Sequence, residues 1–145
     1  MRIIDDQHGR VGRWVIERTG GTYTKEDTKA IGLEQDGKLV AGTIFNSSFG
    51  NSVCIHLACD KSLTREFIWF CFYYAFDQLS VKKLIGMVDC TNEKALRLNK
   101  RLGFIRECVI KDGSRNGDMV IMTMTRDQCR WLSAVKRQGA INGQG

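Results

Sequence analysis

The stretch SVCIHLACDKSLTREFIWFCFYYAFDQLSVKKLIGMVD, residues 52–89, decides the fold. Its first eight residues are β-branched and alternating, the pattern of a strand. The period then changes. Ser62 or Thr64 can cap a helix running to about Leu79, with Glu66 well placed near its positive start. In that helix Phe67, Phe70, Cys71 and Tyr74 form one apolar stripe, and Ile68, Phe72, Ala75 and Leu79 form another. A helix apolar on two sides is expected to lie buried between layers. Residues 83–89 (KLIGMVD) then read as a buried strand. A strand, a crossover helix and a second strand imply a parallel pair, with the helix crossing right-handed between them. Ligands of such sheets bind at the carboxyl ends of the strands, beside the amino end of the crossover helix. Here that is around residues 56–66.

Upstream, Val11, Trp14, Val15 and Arg18 fall at helical spacing, and Gly20 and Gly21 stop them. A loop rich in Gly, Thr and charge follows over 19–29. Residues 30–35 and 38–46 are strand-like runs around Asp36 and Gly37, a strong hairpin signal. With 52–59 they make an antiparallel meander. Downstream, Thr91 and Asn92 open a helix with Ala95, Leu98 and Leu102 inside. Gly103 is its stop, and Phe104 is set to pack back on the last turn. Residues 105–110 and 119–125 are strands around the polar turn KDGSRNGD. The order is helix, three strands, helix, strand, helix, two strands, without an internal repeat. The expected class is α/β (α+β): a mixed, mostly antiparallel twisted sheet with a strand–helix–strand crossover and helices on both faces. One domain over 1–132 and a flexible polar tail over 133–145 are expected.

Composition narrows the function. At 145 residues, 43% hydrophobic and 26% charged, the chain is globular and large enough to bury about 70% of its unfolded surface without staples. Its longest apolar run, FIWFCFYYAF, has ten residues where a membrane span needs about 20. No secretory signal opens the sequence, and the six cysteines form no CxxC pair, so free thiols in a cytoplasmic setting and no metal site are expected. Residues 1–60 carry seven Lys/Arg and eight Asp/Glu, whereas 61–145 carry fifteen and eight. The second half therefore faces an anion or is a solvated helix face. No helix-turn-helix or RNP-like aromatic motif accompanies the charge, so nucleic acid is not the expected partner.

The segment NEKALRLNKRLGF, residues 92–104, resembles the asparagine-and-LGF motif of the GNAT superfamily of acyl-CoA-dependent N-acyltransferases, and the element order matches over most of the chain. GRWVIERTGG, AIGLEQDGKLVAG, IHLA, LTREF and QCRWL resemble stretches of a small phage-type group within it. The resemblance implies an N-acetyltransferase that moves an acetyl group from acetyl-CoA directly to an amine. That amine sits on a small molecule or a protein, and the chain is a monomer or homodimer in the cytoplasm, a host's if the chain is phage-encoded. The alternative is a non-catalytic module of this fold that binds acyl-CoA or a host protein.

In the family the fourth strand bulges and splays from the fifth, so that its free backbone groups hold the pantetheine and the acyl carbonyl. The resemblance assigns that part to 53–59, with Leu57 and Ala58 as backbone donors. It further implies cofactor contacts at Leu63, Thr64, Arg65, Asn92, Ala95 and Asn99. Two departures stand out. The segment before the crossover helix, CDKSLTREF, lacks the family's glycine-rich loop, leaving helix-start N–H groups with Lys61 and Arg65 for the phosphates. Asn99 stands where many members carry a tyrosine acid, and asparagine cannot give up a proton. His56, on the same strand as Leu57, can accept one, or it is a hydrogen-bonded strand histidine without catalytic duty. His8 reads as a solvated terminal residue, and Cys59 and Cys90 as packing residues near the cleft. Asp5, Asp6, Glu17, Glu26 and Asp27 hint at a cationic acceptor on the amino-terminal side.

Overall fold

The computed structural model describes residues 1–132, and the tail expected at 133–145 lies outside them. The chain opens with a strand that its own sequence does not announce, β1 (Arg2–Asp5). Four residues with two adjacent isoleucines carry no readable alternation. β1 exists because β2 (Lys29–Gln35) pairs with it antiparallel, Arg2 standing against Glu34 with an ion pair of 2.9 Å. Between them a 3-10 turn leads into α1 (Arg10–Thr19), close to the expected helix.

Asp36 and Gly37 both take positive φ, 53° and 78°, which matches a type I′ hairpin and joins β2 to β3 (Lys38–Asn46). β4 (Ser52–Cys59) completes the meander. Gly32 and Gly42 face each other across β2 and β3 and form a floor on which α1 rests. A Cβ on Gly42 would stand 2.7 Å from Val15 Cγ2, and one on Gly32 would stand 2.8 Å from Val11 Cγ2.

Thr64, not Ser62, caps α2 (Arg65–Tyr73): its hydroxyl accepts from the Phe67 N–H at 3.1 Å. The expected helix to Leu79 is interrupted, because Tyr74–Gln78 winds as a π-helical turn. Nor is α2 sandwiched between layers. Phe67, Cys71, Phe72 and Ala75 are buried on the sheet, whereas Trp69 and Tyr73 stack on each other at 4.9 Å on the half-exposed outer side. Ile68, Phe72 and Ala75 of the second apolar stripe join the same core, so the helix covers one face of the sheet without a further layer above it.

β5 (Lys83–Asp89) is followed by α3 (Glu93–Leu102). Asn92 caps α3 by accepting from the Ala95 N–H at 3.1 Å, and Gly103 ends it in the left-handed region, φ 113°. Phe104 packs back, its ring centroid 6.2 Å from that of Phe72. The final strands are longer than expected. β6 (Ile105–Ser114) and β7 (Gly117–Thr125) turn over Arg115 and Asn116 alone, and register shifts after Arg106 and Ile110 absorb the residues that read as a long turn.

Among the described residues the sheet has seven strands in the order β1-β2-β3-β4-β5-β7-β6. It is mixed and mostly antiparallel, with α1 on one face and α2 and α3 on the other, as expected. β4 and β5 are the parallel pair. They pair only at Ser52, Val53 and Cys54 against Lys83, Leu84 and Ile85, and then diverge.

Gly42→Ala is expected to destabilise the fold by about 1–3 kcal/mol, because the added methyl overpacks the floor of α1. The urea midpoint measures this, and Val15→Ala in the same chain should recover part of the loss.

Candidate functional site

Where β4 and β5 part, a cleft of about 710 Å³ opens through the sheet. Strand alternation divides its walls. Leu57 lies opposite Thr43, whose hydroxyl accepts from the Cys71 thiol of α2 at 3.4 Å, so Ile55, Leu57 and Cys59 face α2. His56, Ala58 and Asp60 face α1. On β5, Gly86 and Val88 face α2 and α3, and Met87 and Asp89 lie on the α1 side.

The same alternation decides which backbone groups are free. The Asp60 N–H donates to Val40 O at 2.9 Å, so every second residue back from Asp60 turns its main chain toward β3. Ala58, which stands opposite Gly42, is one of these. Its expected role as a donor into the cleft is therefore not available. Leu57 and Cys59 turn their N–H and C=O into the gap that β5 has left. No register shift interrupts β4 against β3, so the strands splay without the expected bulge.

The wall toward α2 and α3 is largely apolar: Leu63, Phe67, Ala95, Leu98 and Leu102, with Asn92, Asn99 and Lys94 along one side. Gly86 lies at its floor. A Cβ there would stand 3.4 Å from Asn99 Nδ2, so any side chain would fill the space between β5 and α3. Burial pushes the Cys71 thiol up to about 12 and raises that of Cys59, which makes both poor nucleophiles. Cys59 also faces α2 while His56 faces α1, so the two form no catalytic couple. Cys90 does not line the cleft.

The wall toward α1 is more polar. His56 is half-buried, and desolvation alone lowers its pKa, keeping the imidazole neutral at pH 7. The Arg18 guanidinium stacks on Trp14 at 3.6 Å and grips Asp60 with two bonds of 2.9 and 3.0 Å, tying the end of α1 to the end of β4. Asp89 closes the other side. Its carboxylate accepts from the Thr91 N–H (2.9 Å), the Thr91 hydroxyl (2.6 Å), the Ser114 hydroxyl (2.6 Å) and the Asn116 N–H (3.1 Å). These bonds hold Asp89 well below the usual carboxylate range and pin the β6–β7 turn to the rim.

Of the residues expected at the site, His56, Leu57, Ala58, Leu63, Asn92, Ala95 and Asn99 line the cleft. Thr64 and Arg65 do not. The Thr64 hydroxyl is spent on the helix cap, and the exposed Arg65 lies outside the lining. Lys61 reaches Gln35. The acidic hint also fails, since none of Asp5, Asp6, Glu17, Glu26 and Asp27 lines the cleft. Asp5 and Asp6 border a separate hollow near β1, and Asp27 accepts from the Ser47 N–H. Sequence reasoning missed Arg18, Gly86, Asp89, Lys94 and Arg115. Only Gly86, a glycine inside a strand, carried a readable signal.

No protein-family model matches the chain, and no curated protein sequence does. Solved structures do. A mutant form of spermidine N-acetyltransferase SpeG from Vibrio cholerae superposes with a TM-score of 0.72 at 16% identity, over 93% of this chain and 99% of that one. The N-acetyltransferase PseH of Campylobacter jejuni, in complex with acetyl coenzyme A, gives 0.55 at 21% identity over 70% of each chain. The ribosomal-protein-S5-alanine acetyltransferase of Vibrio fischeri gives 0.60 at 14%, over 70% of this chain and 63% of that one. The chain has the GNAT acetyltransferase fold. Once β1 is counted, the strands that diverge in this chain are the fourth and fifth, the pair that the sequence resemblance implied.

Because Asp89 is more acidic folded than unfolded, its contribution is complete above about pH 4 and is lost only as pH falls toward its lowered value. In Asp89→Ala, hydrogen exchange at pH 7 should speed up at the Thr91 and Asn116 amides and stay unchanged at the Ile68 amide of α2.

Proposed function

We propose that the chain is an N-acetyltransferase that uses acetyl-CoA and transfers its acetyl group directly to an amine. The observation that carries this is the divergence of β4 from β5, which leaves backbone hydrogen-bonding groups beside an apolar passage floored by Gly86. A narrow, amide-bearing arm suits such a passage: apolar walls accept its carbon chain, and the unpaired N–H and C=O groups match its amides. Bound acetyl-CoA would supply the activated thioester. Of the strand N–H groups turned into the gap, that of Leu57, next to His56, is the donor assigned to a developing oxyanion. Asn92, Ala95 and Leu63 would hold the arm, and Lys94 with the unbonded amides at the start of α2 would meet the phosphates, compensating for the missing glycines.

His56 stands on the α1 side, the side open to an acceptor. A neutral imidazole there can take the proton that an ammonium must lose, directly or through water. Asn99 lines the passage where a tyrosine acid is usual in the family it resembles, and it has no proton to give. Solvent then protonates the departing thiolate, and turnover is slow. The same residue favours the second reading, a binding module without catalysis. Cytoplasmic residence rests on the free thiols, the phage-type subgroup on the sequence stretches alone.

Acetyl-CoA at 100 times its dissociation constant should stabilise the protein by about 2.7 kcal/mol, visible as a raised melting temperature. Gly86→Ala should abolish most of that gain without lowering the melting temperature of the free protein, since its methyl meets only ordinary contacts. Unaltered binding in Gly86→Ala would move the cofactor elsewhere.

His56→Ala should keep the acetyl-CoA shift while turnover falls about 100-fold or more. The lowered imidazole pKa places the acid limb of the parent's pH–rate profile below pH 6.5, the ordinary histidine value, and the variant should lose that limb. Binding of acetyl-CoA with no amine-dependent CoA release across a broad panel would establish the binding module instead.

A further inference from the structure

On the α1 side of the cleft, the engagement of the charged groups narrows the acceptor. Two lining residues carry carboxylates, Asp60 and Asp89, and the oxygens of both are already engaged. Asp60 is held by the Arg18 fork, and Asp89 accepts four hydrogen bonds. A cationic acceptor would find Asp60 neutralised by Arg18 and the oxygens of Asp89 each taken by two neutral donors, and residues 133–145 contain no Asp or Glu. Arg115 is the opposite case. It lies at the tip of the β6–β7 turn that Asp89 pins to the rim, it lines the cleft, and among the described residues no carboxylate pairs with it. Lys94, the other cation of the lining without an ion pair among the described residues, belongs to α3, beside which the cofactor phosphates are proposed to sit.

We infer that the acceptor is a small amine that also carries an anionic group, carboxylate or phosphate, which Arg115 receives while the amine points toward His56. The inference rests on the acetyltransferase reading. A guanidinium suits either anion, because its planar fork gives two parallel hydrogen bonds to a pair of oxygens. Placing a polyamine here would set like charge against Arg115, with Asp60 already neutralised by Arg18 and the Asp89 oxygens taken by four donors, an arrangement that works against binding. The chain would then differ in acceptor from SpeG, whose name gives spermidine, although the two superpose over nearly their full lengths.

The test measures acetyl-CoA-dependent CoA release by the full chain with amines of matched length: 1,4-diaminobutane, butylamine, 4-aminobutyrate and 3-aminopropyl phosphate. At least a tenfold higher kcat/KM for one or both anionic amines over the diamine is expected, and the better of the two identifies the anion. Arg115→Glu should erase or reverse that preference through KM, Arg115→Lys should keep part of it, and both should retain the acetyl-CoA melting shift. Preference for the diamine, or an unchanged ranking in Arg115→Glu, would overturn the inference and leave the acetyltransferase reading standing. A lost acetyl-CoA shift in Arg115→Glu would assign Arg115 to the cofactor and overturn it as well. If acetyl-CoA binds and none of these or a wider range of amines is acetylated, the acetyltransferase reading falls and the inference falls with it.

Discussion

Two parallel strands that share three residue pairs and then separate set the terms for the rest of this molecule. Unpaired main-chain groups inside a sheet are costly wherever water cannot reach them, so such a gap survives only if it opens to solvent or a ligand. Here it opens to a cleft on both faces of the sheet. The two halves are held apart and yet in place by what flanks them. β4 stays paired with β3, and β5 with β7, while Phe72 of α2 packs against Phe104, just beyond the end of α3. Arg18 and Asp89 fasten the rims from the α1 side.

The sheet thereby divides the chemistry. On the side of α2 and α3 the lining is largely apolar, and among the described residues its one charged group is a lysine. On the α1 side it is polar, with a desolvated imidazole between two fastened ion pairs or hydrogen-bond clusters. Acyl donor and amine would approach from opposite faces and meet at the level of the strands, where His56 and Leu57 are neighbours in sequence with side chains on opposite faces. That neighbourhood follows directly from the two-residue period of a strand.

Most of the fold was legible because its signals are local. A period change from two to 3.6 marked the crossover, Asp36 and Gly37 marked the hairpin, and Gly103 with Phe104 marked a helix end. β1 was not, because four residues become a strand only through a partner thirty positions away. The π turn at Tyr74–Gln78 and the long β6–β7 hairpin were hidden for a similar reason: packing, not pattern, selects them. At the site, the strand residues could be located in sequence, but the direction of each backbone group could not. Leu57 and Ala58 differ only in register against β3. Arg18, Asp89 and Arg115 enter the site through contacts across the fold, Asp89 reaching Ser114 twenty-five positions on. No spacing rule anticipates that.

β6 ends the sheet, and its exposure of Ile105, Val109 and Ile110 would make a straight strand a template for other chains. The two register shifts change that outcome. They leave Cys108, Val109 and Ile110 as the uninterrupted core of the ladder with β7, too short a run to recruit a foreign strand in long register. The irregular hairpin that shapes the cleft at one end thus also breaks up this border, so that straightening it would be expected to favour edge-to-edge association at high concentration.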